Sequence, residues 1–328
     1  MAPGSHVQGW LEHCPACGTT TADSRKIWFK HGHAIYRCPA CKLLYVNPQP
    51  NTESILTLYG QSYFEAGGFD RWGYRDYDSL LKLKNYTFQR WLADLESFAE
   101  KGRLLEIGCG TGLMLEIARQ SGWDVTGVEL SEYAANHARS HGLEVHTGVV
   151  QETDLPVESY DVVLMLDLLE HVPNPLELFE SVGRLLKPGG LVYIVTPNTG
   201  SVSAKIQGVS WPHVKPEEHL CLFSKGALQR LIARSSLELI ALSGSRKVMT
   251  FDHLINELGQ TNRVVSVALR GVCRIAPGLR THRFYLPLGE MRAVARKPQK
   301  CVQGVLSREV AQAGHSNKER TRDDLREG

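Results

Sequence analysis

The sequence predicts an α/β chain, a doubly wound seven-stranded sheet preceded by a small cysteine-bearing module and a helical cap. Three observations carry this expectation. From Arg103 to Arg296 short apolar runs alternate with amphipathic stretches, the order in which parallel strands and crossover helices succeed one another. Tyr160–Leu166 is apolar at nearly every position, as a central strand covered on both faces must be. Finally, Leu104-Leu105-Glu106-Ile107-Gly108-Cys109-Gly110-Thr111-Gly112 runs a strand into a glycine-rich turn, followed by a helical stretch and a second strand ending on Glu129.

Taken in order, the strands are expected near 103–107, 124–129, 143–147, 160–166, 190–196, 236–242 and 290–296. The glycine turn after the first allows the backbone close approach to a ligand, and Glu129 stands where a carboxylate can hold both hydroxyls of a ribose. The glycines are spaced G-x-G-x-G, with Leu113 where a dinucleotide-binding turn would carry its last glycine. Glu106, just before the turn, repels a pyrophosphate and attracts an ammonium. The expected cofactor is therefore S-adenosylmethionine. The plain alternative is a strand-to-helix corner that needs glycine only for its backbone angles.

Ahead of the sheet, Cys14-Pro15-Ala16-Cys17 and Cys38-Pro39-Ala40-Cys41 form two C-x2-C knuckles separated by 20 residues. Four thiolates at this spacing close a tetrahedral zinc shell with no open position, so Cys14, Cys17, Cys38 and Cys41 predict a structural zinc ribbon over residues 1–50. A redox pair is the alternative. His31 and His33 lie between the knuckles and are expected to be loop residues. Residues 51–100 are expected to form the helical cap, with aromatics at Tyr59, Tyr63, Phe64, Phe69, Trp72, Tyr74 and Tyr77 that either pack it onto the sheet or line a pocket mouth. The remaining four of the eight cysteines are scattered, which with the paired knuckles predicts a reducing, cytoplasmic setting. No apolar run approaches the roughly 20 residues of a bilayer span, and a secretory pattern is not expected. A net charge of +2 gives no reason to expect nucleic acid as a partner.

Beyond the central strand come Asp167-Leu168-Leu169-Glu170-His171-Val172, then Lys187-Pro188-Gly189-Gly190, expected as a helix exit and turn, then Pro216-Glu217-Glu218-His219-Leu220 with Phe223-Ser224. Together with the knuckles, Tyr45-Val46-Asn47-Pro48, residues 106–112 and Gly127-Val128-Glu129-Leu130-Ser131, these motifs make residues 14–298 resemble class I S-adenosylmethionine-dependent methyltransferases. The resemblance is to a bacterial-type branch with an N-terminal zinc ribbon, similar to quinone-precursor O-methyltransferases. It implies a Rossmann-like methyltransferase domain over 101–298. It also implies that the turn through Gly112 binds the cofactor, with Gly108 and Gly110 flanking its methionine end and Glu106 placing its ammonium. Glu129 would take the ribose, Leu130 would pack on adenine, and Asp167 would lie near the methionine moiety. The acidic adenine contact usual in the family is missing from Gly148-Val149-Val150-Gln151-Glu152, which leaves the Val150 backbone or the Gln151 side chain for that role.

Methyl transfer to a hydroxyl also requires a proton acceptor, for which His171 and His219 are candidates. His171 can equally be a helix-start residue bonded to backbone, and Glu170 with His171 can instead ligate a divalent ion beside an acceptor diol. The acceptor is expected to be a small molecule, a sugar or a lipid-linked intermediate, in particular one bearing phosphate. Between the last two strands, about 45 residues from Gly244 to Gly289 are inserted, with Arg263, Arg270, Arg274, Arg280 and Arg283 set among apolar residues. The insert has three readings, as a lid, as a peripheral membrane contact through 251–285, or as a dimer element. The polar stretch 299–328 is expected to be disordered. Two rival functions remain open, an RNA methyltransferase whose ribbon holds nucleic acid and a non-catalytic scaffold that merely binds cofactor.

Overall fold

The computed structural model describes residues 9–50, 77–252, 254–255 and 263–299. The aromatic cluster expected at 59–74 and the tail from 300 onwards lie outside the described residues. The chain begins with β1 (Arg25–Lys30), β2 (His33–Arg37) and β3 (Leu44–Val46), followed by α1 (Tyr77–Leu95). The alternating part then runs β4 (Arg103–Ile107), α2 (Leu113–Gln120), β5 (Asp124–Glu129), α3 (Glu132–Ser140), β6 (Glu144–Thr147) and β7 (Tyr160–Leu166). It continues with α4 (Pro175–Leu185), β8 (Leu186–Pro197), α5 (Val202–Gln207), β9 (Cys221–Leu222), α6 (Lys225–Arg234) and β10 (Glu238–Gly244). The inserted β11 (Lys247–Thr250), α7 (Arg263–Ile275) and β12 (Arg283–Leu286) precede β13 (Glu290–Arg296).

Seven strands form one sheet in the order β10-β13-β8-β7-β4-β5-β6. Strands β4 to β8 are parallel, and β13 is antiparallel to both neighbours. This is the class I methyltransferase arrangement. The chain reverses its winding between β4 and β7, which opens a crevice at their carboxyl ends, where doubly wound sheets bind ligands.

Alternate side chains on each strand serve opposite faces. Leu104, Val162, Leu164 and Tyr193 join Phe88, Trp91 and Leu95 of α1 and Leu115 of α2. Leu105, Val163, Met165 and Ile194 join Phe179 and Val182 of α4 and Leu228 and Leu231 of α6. The sheet is thus buried on both sides, which explains the unbroken apolar run of β7.

The expected strands fall within about two residues of the observed ones, with one informative exception. The Lys187–Gly190 segment, expected as a turn, belongs to the start of β8. Tyr160 pairs with Leu186, and the N–H groups of Gly189 and Lys297 donate to Lys297 and Gly190 respectively. Long-range partners at the far end of β13 override the local turn signal.

The ribbon strands form a second sheet, β1-β2-β3-β9, whose last strand comes from beyond residue 200. The insert contributes the antiparallel pair β11–β12, which lies on α1: Val248 N–H donates to Thr87 Oγ1 at 3.1 Å, and Arg90 and Arg283 sit over Tyr285 and Tyr86. Among the described residues no helix is long and apolar enough to cross a membrane.

Candidate active site

At the crevice, Gly108, Gly110 and Gly112 all have positive φ, at 74°, 55° and 87°. Their surroundings separate them. A Cβ on Gly112 would come within 2.4 Å of Leu143 Cδ1, and one on Gly108 within 2.9 Å of Leu168 Cδ1, so these two glycines also answer to packing. A Cβ on Gly110 would meet nothing within 4 Å. Its backbone borders open space, as a ligand cradle must.

Glu129 ends β5 buried, and its carboxylate ties the turn together. Oε2 accepts from Gly110 N–H and Oε1 from Ser131 N–H, both at 2.8 Å. Burial raises its pKa, opposed by the backbone N–H groups of Ser131, Gly110 and Leu130. Each oxygen keeps a second lone pair for another donor.

Glu106 is in a different state. It is only 3 % exposed, and its Oε2 has no hydrogen-bond partner. Burial pushes this carboxyl up to about 8, against the pull of Lys84 on α1 and with a further push from Glu129. A bare buried carboxylate oxygen beside an open glycine cradle fits a cationic ligand group. Asp167, at φ 50° just past β7, also keeps a buried oxygen, Oδ1, without a partner.

Lys247 was not foreseen. Carried in by β11, its ammonium contacts Asp167 Oδ2 at 3.2 Å and also pairs with Glu290 at the start of β13, lying 5.7 Å from the Trp91 ring centre. Burial would raise the Asp167 carboxyl, but the charge and hydrogen bond of Lys247, with His213 and Lys84, hold it below the usual range. Nothing in the local pattern around Lys247 signals this, because the contact spans 80 residues. Of the expected adenine contacts, Val150 is buried, while Leu130 and Gln151 are half-buried.

Next to this edge the structure brings together both candidate histidines. The His171 and His219 rings meet edge to face, 4.6 Å between centres, and one ligand atom from each lies within 4.8 Å of a Glu170 oxygen. His171 sits in a short 3-10 turn, Leu169–His171, and bonds the backbone of Glu218. Burial lowers its pKa to about 4. Burial and the neighbouring His171 and His213 also hold His219 well below the ordinary imidazole range. A carbonyl can only accept, so the 2.6 Å contact between His219 Nδ1 and His213 O places the proton on Nδ1 and leaves Nε2 bare. Glu170, buried and bonded by the Thr196 hydroxyl at 2.9 Å, is pushed up to about 8 by burial and the charge of Asp167.

On the ribbon, the four cysteine sulfurs lie within 4.8 Å of one another, with Cys14–Cys41 at 3.6 Å and Cys17–Cys38 at 3.5 Å. A tetrahedron with metal–sulfur bonds of about 2.3 Å has edges of about 3.8 Å, so this donor set fits zinc.

Fold and crevice together define a methyltransferase domain. Residues 79–242, half of the chain, match the family model described as methyltransferase domain, and the chain belongs to that family. It is similar to the ubiquinone biosynthesis O-methyltransferase of Bordetella avium, 39% identical over 117 residues that make up 33% of this chain and 48% of the relative. It is likewise similar to that of Idiomarina loihiensis, 34% identical over 155 residues, 43% of this chain and 64% of the relative. The chain spans about half the length of the first of these relatives. A SAM-dependent methyltransferase structure from Thermotoga maritima superposes with a TM-score of 0.48 at 18% identity, covering 75% of this chain and 99% of that one.

Proposed function

We propose that this protein transfers the methyl group of S-adenosylmethionine to an oxygen of a small-molecule, sugar or lipid-linked biosynthetic intermediate. The observation that carries the reading is the unpartnered Glu106 Oε2 beside the open face of Gly110, at the crevice where the winding reverses. Glu106 would face the cofactor's ammonium, Glu129 its ribose, Leu130 with Val150 and Gln151 its adenine, and Asp167 its methionine end.

The bound cofactor supplies a methyl group on a sulfonium, already a good leaving group. The chain's own task is to hold the acceptor oxygen in line, about 3–3.5 Å from that methyl, and to take up its proton. His219 Nε2 is bare and can accept it, with His171 beside it. The depressed pKa of both histidines makes them weak bases, and this favours a second reading. Glu170, His171 and His219 would together hold a divalent ion, which when bound acidifies an acceptor hydroxyl.

The ribbon cysteines would hold a structural zinc, given the donor spacing described above. The insert supports two roles at once. Its hairpin half covers α1 and sends Lys247 into the site, as a lid does. Its helical half exposes Val267 (62 %), Val272 (48 %) and Ile275 (89 %) near Arg270 and Arg274, with no acidic residue between 263 and 289. That face suits an anionic lipid surface.

Titration with S-adenosylhomocysteine in buffers of different ionisation enthalpy tests the cofactor reading. In the free protein the Glu106 carboxyl, raised to about 8, is mostly protonated at pH 7. A ligand ammonium favours the ionised form, so binding expels close to one proton at pH 7 and progressively fewer above pH 8. Glu106→Gln should bind more weakly and expel none. Binding with no proton release in the wild type would contradict the placement of the ammonium.

A further inference from the structure

The ribbon and the segment that carries His219 are joined at both ends. β1 finishes on the half-buried Lys30, whose ammonium donates to the carbonyls of Val209 at 3.1 Å and Val214 at 2.6 Å. Those two carbonyls bracket a tight turn that holds the buried Trp211 and, beside it, His213. The His213 carbonyl is the acceptor of the His219 Nδ1–H. Further along, Val46 N–H donates to Leu220 C=O at 2.9 Å, and Tyr45 and Leu44 pair with Cys221 and Leu222. Ribbon groups therefore hold the chain on either side of His213 and again directly after His219.

We infer that Lys30 is a positioning residue for His219. By gathering the Val209 and Val214 carbonyls it acts with the Lys215 N–H, which donates to the intervening His213 carbonyl at 3.1 Å, to fix that carbonyl, and through it the His219 tautomer with Nδ1 protonated and Nε2 bare. An ammonium suits the task because it offers three donors on a flexible stem, enough for two carbonyls that approach from different directions. The ribbon is on this account part of the wall of the acceptor site, joined to it by the Lys30 side chain, by the His31–Glu217 pair and by one strand pairing. The inference rests on the reading of His219 as an acceptor-side group.

The test needs no acceptor. Full-length protein with 15N-labelled imidazoles reports each histidine tautomer directly, and wild type should show His219 as the Nδ1–H form alone. Lys30→Met removes both donated bonds while keeping the apolar stem. It should raise the Nε2–H population of His219 several-fold and speed amide exchange at His219 at least tenfold. Affinity for S-adenosylhomocysteine should stay within twofold of wild type. Lys30→Arg, which keeps the charge and donors, should restore the wild-type signature. A wild-type His219 signature in Lys30→Met would overturn the inference, as would an equal disturbance in Lys30→Arg. If Lys30→Met does not fold, Lys30→Gln, which keeps two N–H donors but on a shorter, uncharged side chain, should give an intermediate tautomer shift, and an unshifted spectrum again overturns the inference. A wild-type protein that binds no S-adenosylhomocysteine would instead sink the methyltransferase reading while leaving the tautomer result standing.

Discussion

Around Gly110 the crevice is made of backbone. Three glycines turn the chain at positive φ, the backbone at Gly110 borders open space, and Glu129 is pinned by two amide N–H groups of its own neighbourhood. Around His219, in contrast, it is made of side chains and carbonyls brought from the 3-10 turn after β7, the loop before β9 and the ribbon. On the proposed function, a backbone cradle recognises what every substrate complex has in common, the cofactor, whereas a wall of side chains can be altered one residue at a time and would be where acceptor specificity belongs.

The largest expected effect breaks the wall. Cys38→Ser should lose the metal and destabilise the ribbon, because zinc binding of about 10–16 kcal/mol is also folding energy for so small a module. Metal content and the thermal unfolding midpoint should fall together. A stable variant with its full complement of zinc would show the ribbon to stand without it.

Breaking the cradle comes next. Glu129→Ala removes two charge-assisted bonds to the Gly110 and Ser131 amides along with the proposed ribose contact. At about 1.5–3 kcal/mol per bond to a charged group, affinity for S-adenosylhomocysteine should fall roughly 100-fold or more by calorimetry. An unchanged dissociation constant would refute the assignment.

The smallest effect concerns α7 and its proposed lipid-facing side. Co-sedimentation with phosphatidylglycerol vesicles should weaken by about tenfold in Ile275→Asp, since burying that one side chain contributes about 1.5–3 kcal/mol, and wild type should not bind phosphatidylcholine vesicles. Equal binding by wild type and variant would leave α7 to another partner.

The two regions also differed in how far the sequence alone could be followed. Glu106 through Glu129 is one strand–turn–helix–strand unit, so its residues are spatial neighbours because they are close along the chain. The C-x2-C pairs were legible for the same local reason. His171 and His219 could be named singly, but their edge-to-face meeting depends on β9 joining the ribbon sheet, a pairing of strands about 175 residues apart. Lys30 and Lys247 carried no signal at all. A lysine that points at carbonyls or carboxylates on another element looks, in sequence, like any surface lysine. The Lys187–Gly190 segment failed the other way: its turn chemistry was real, and pairing with Tyr160 and Lys297 overrode it.

The central claim, methyl transfer to a small or lipid-linked acceptor, is tested most directly by methyl-labelled S-adenosylmethionine. The protein is incubated with the labelled cofactor and a host extract separated into macromolecular, small-molecule and lipid fractions. The account predicts label in the small-molecule or lipid fraction, absent with heat-inactivated protein. Label confined to nuclease-sensitive macromolecules, or no label in any fraction from protein that binds the cofactor tightly, would contradict it.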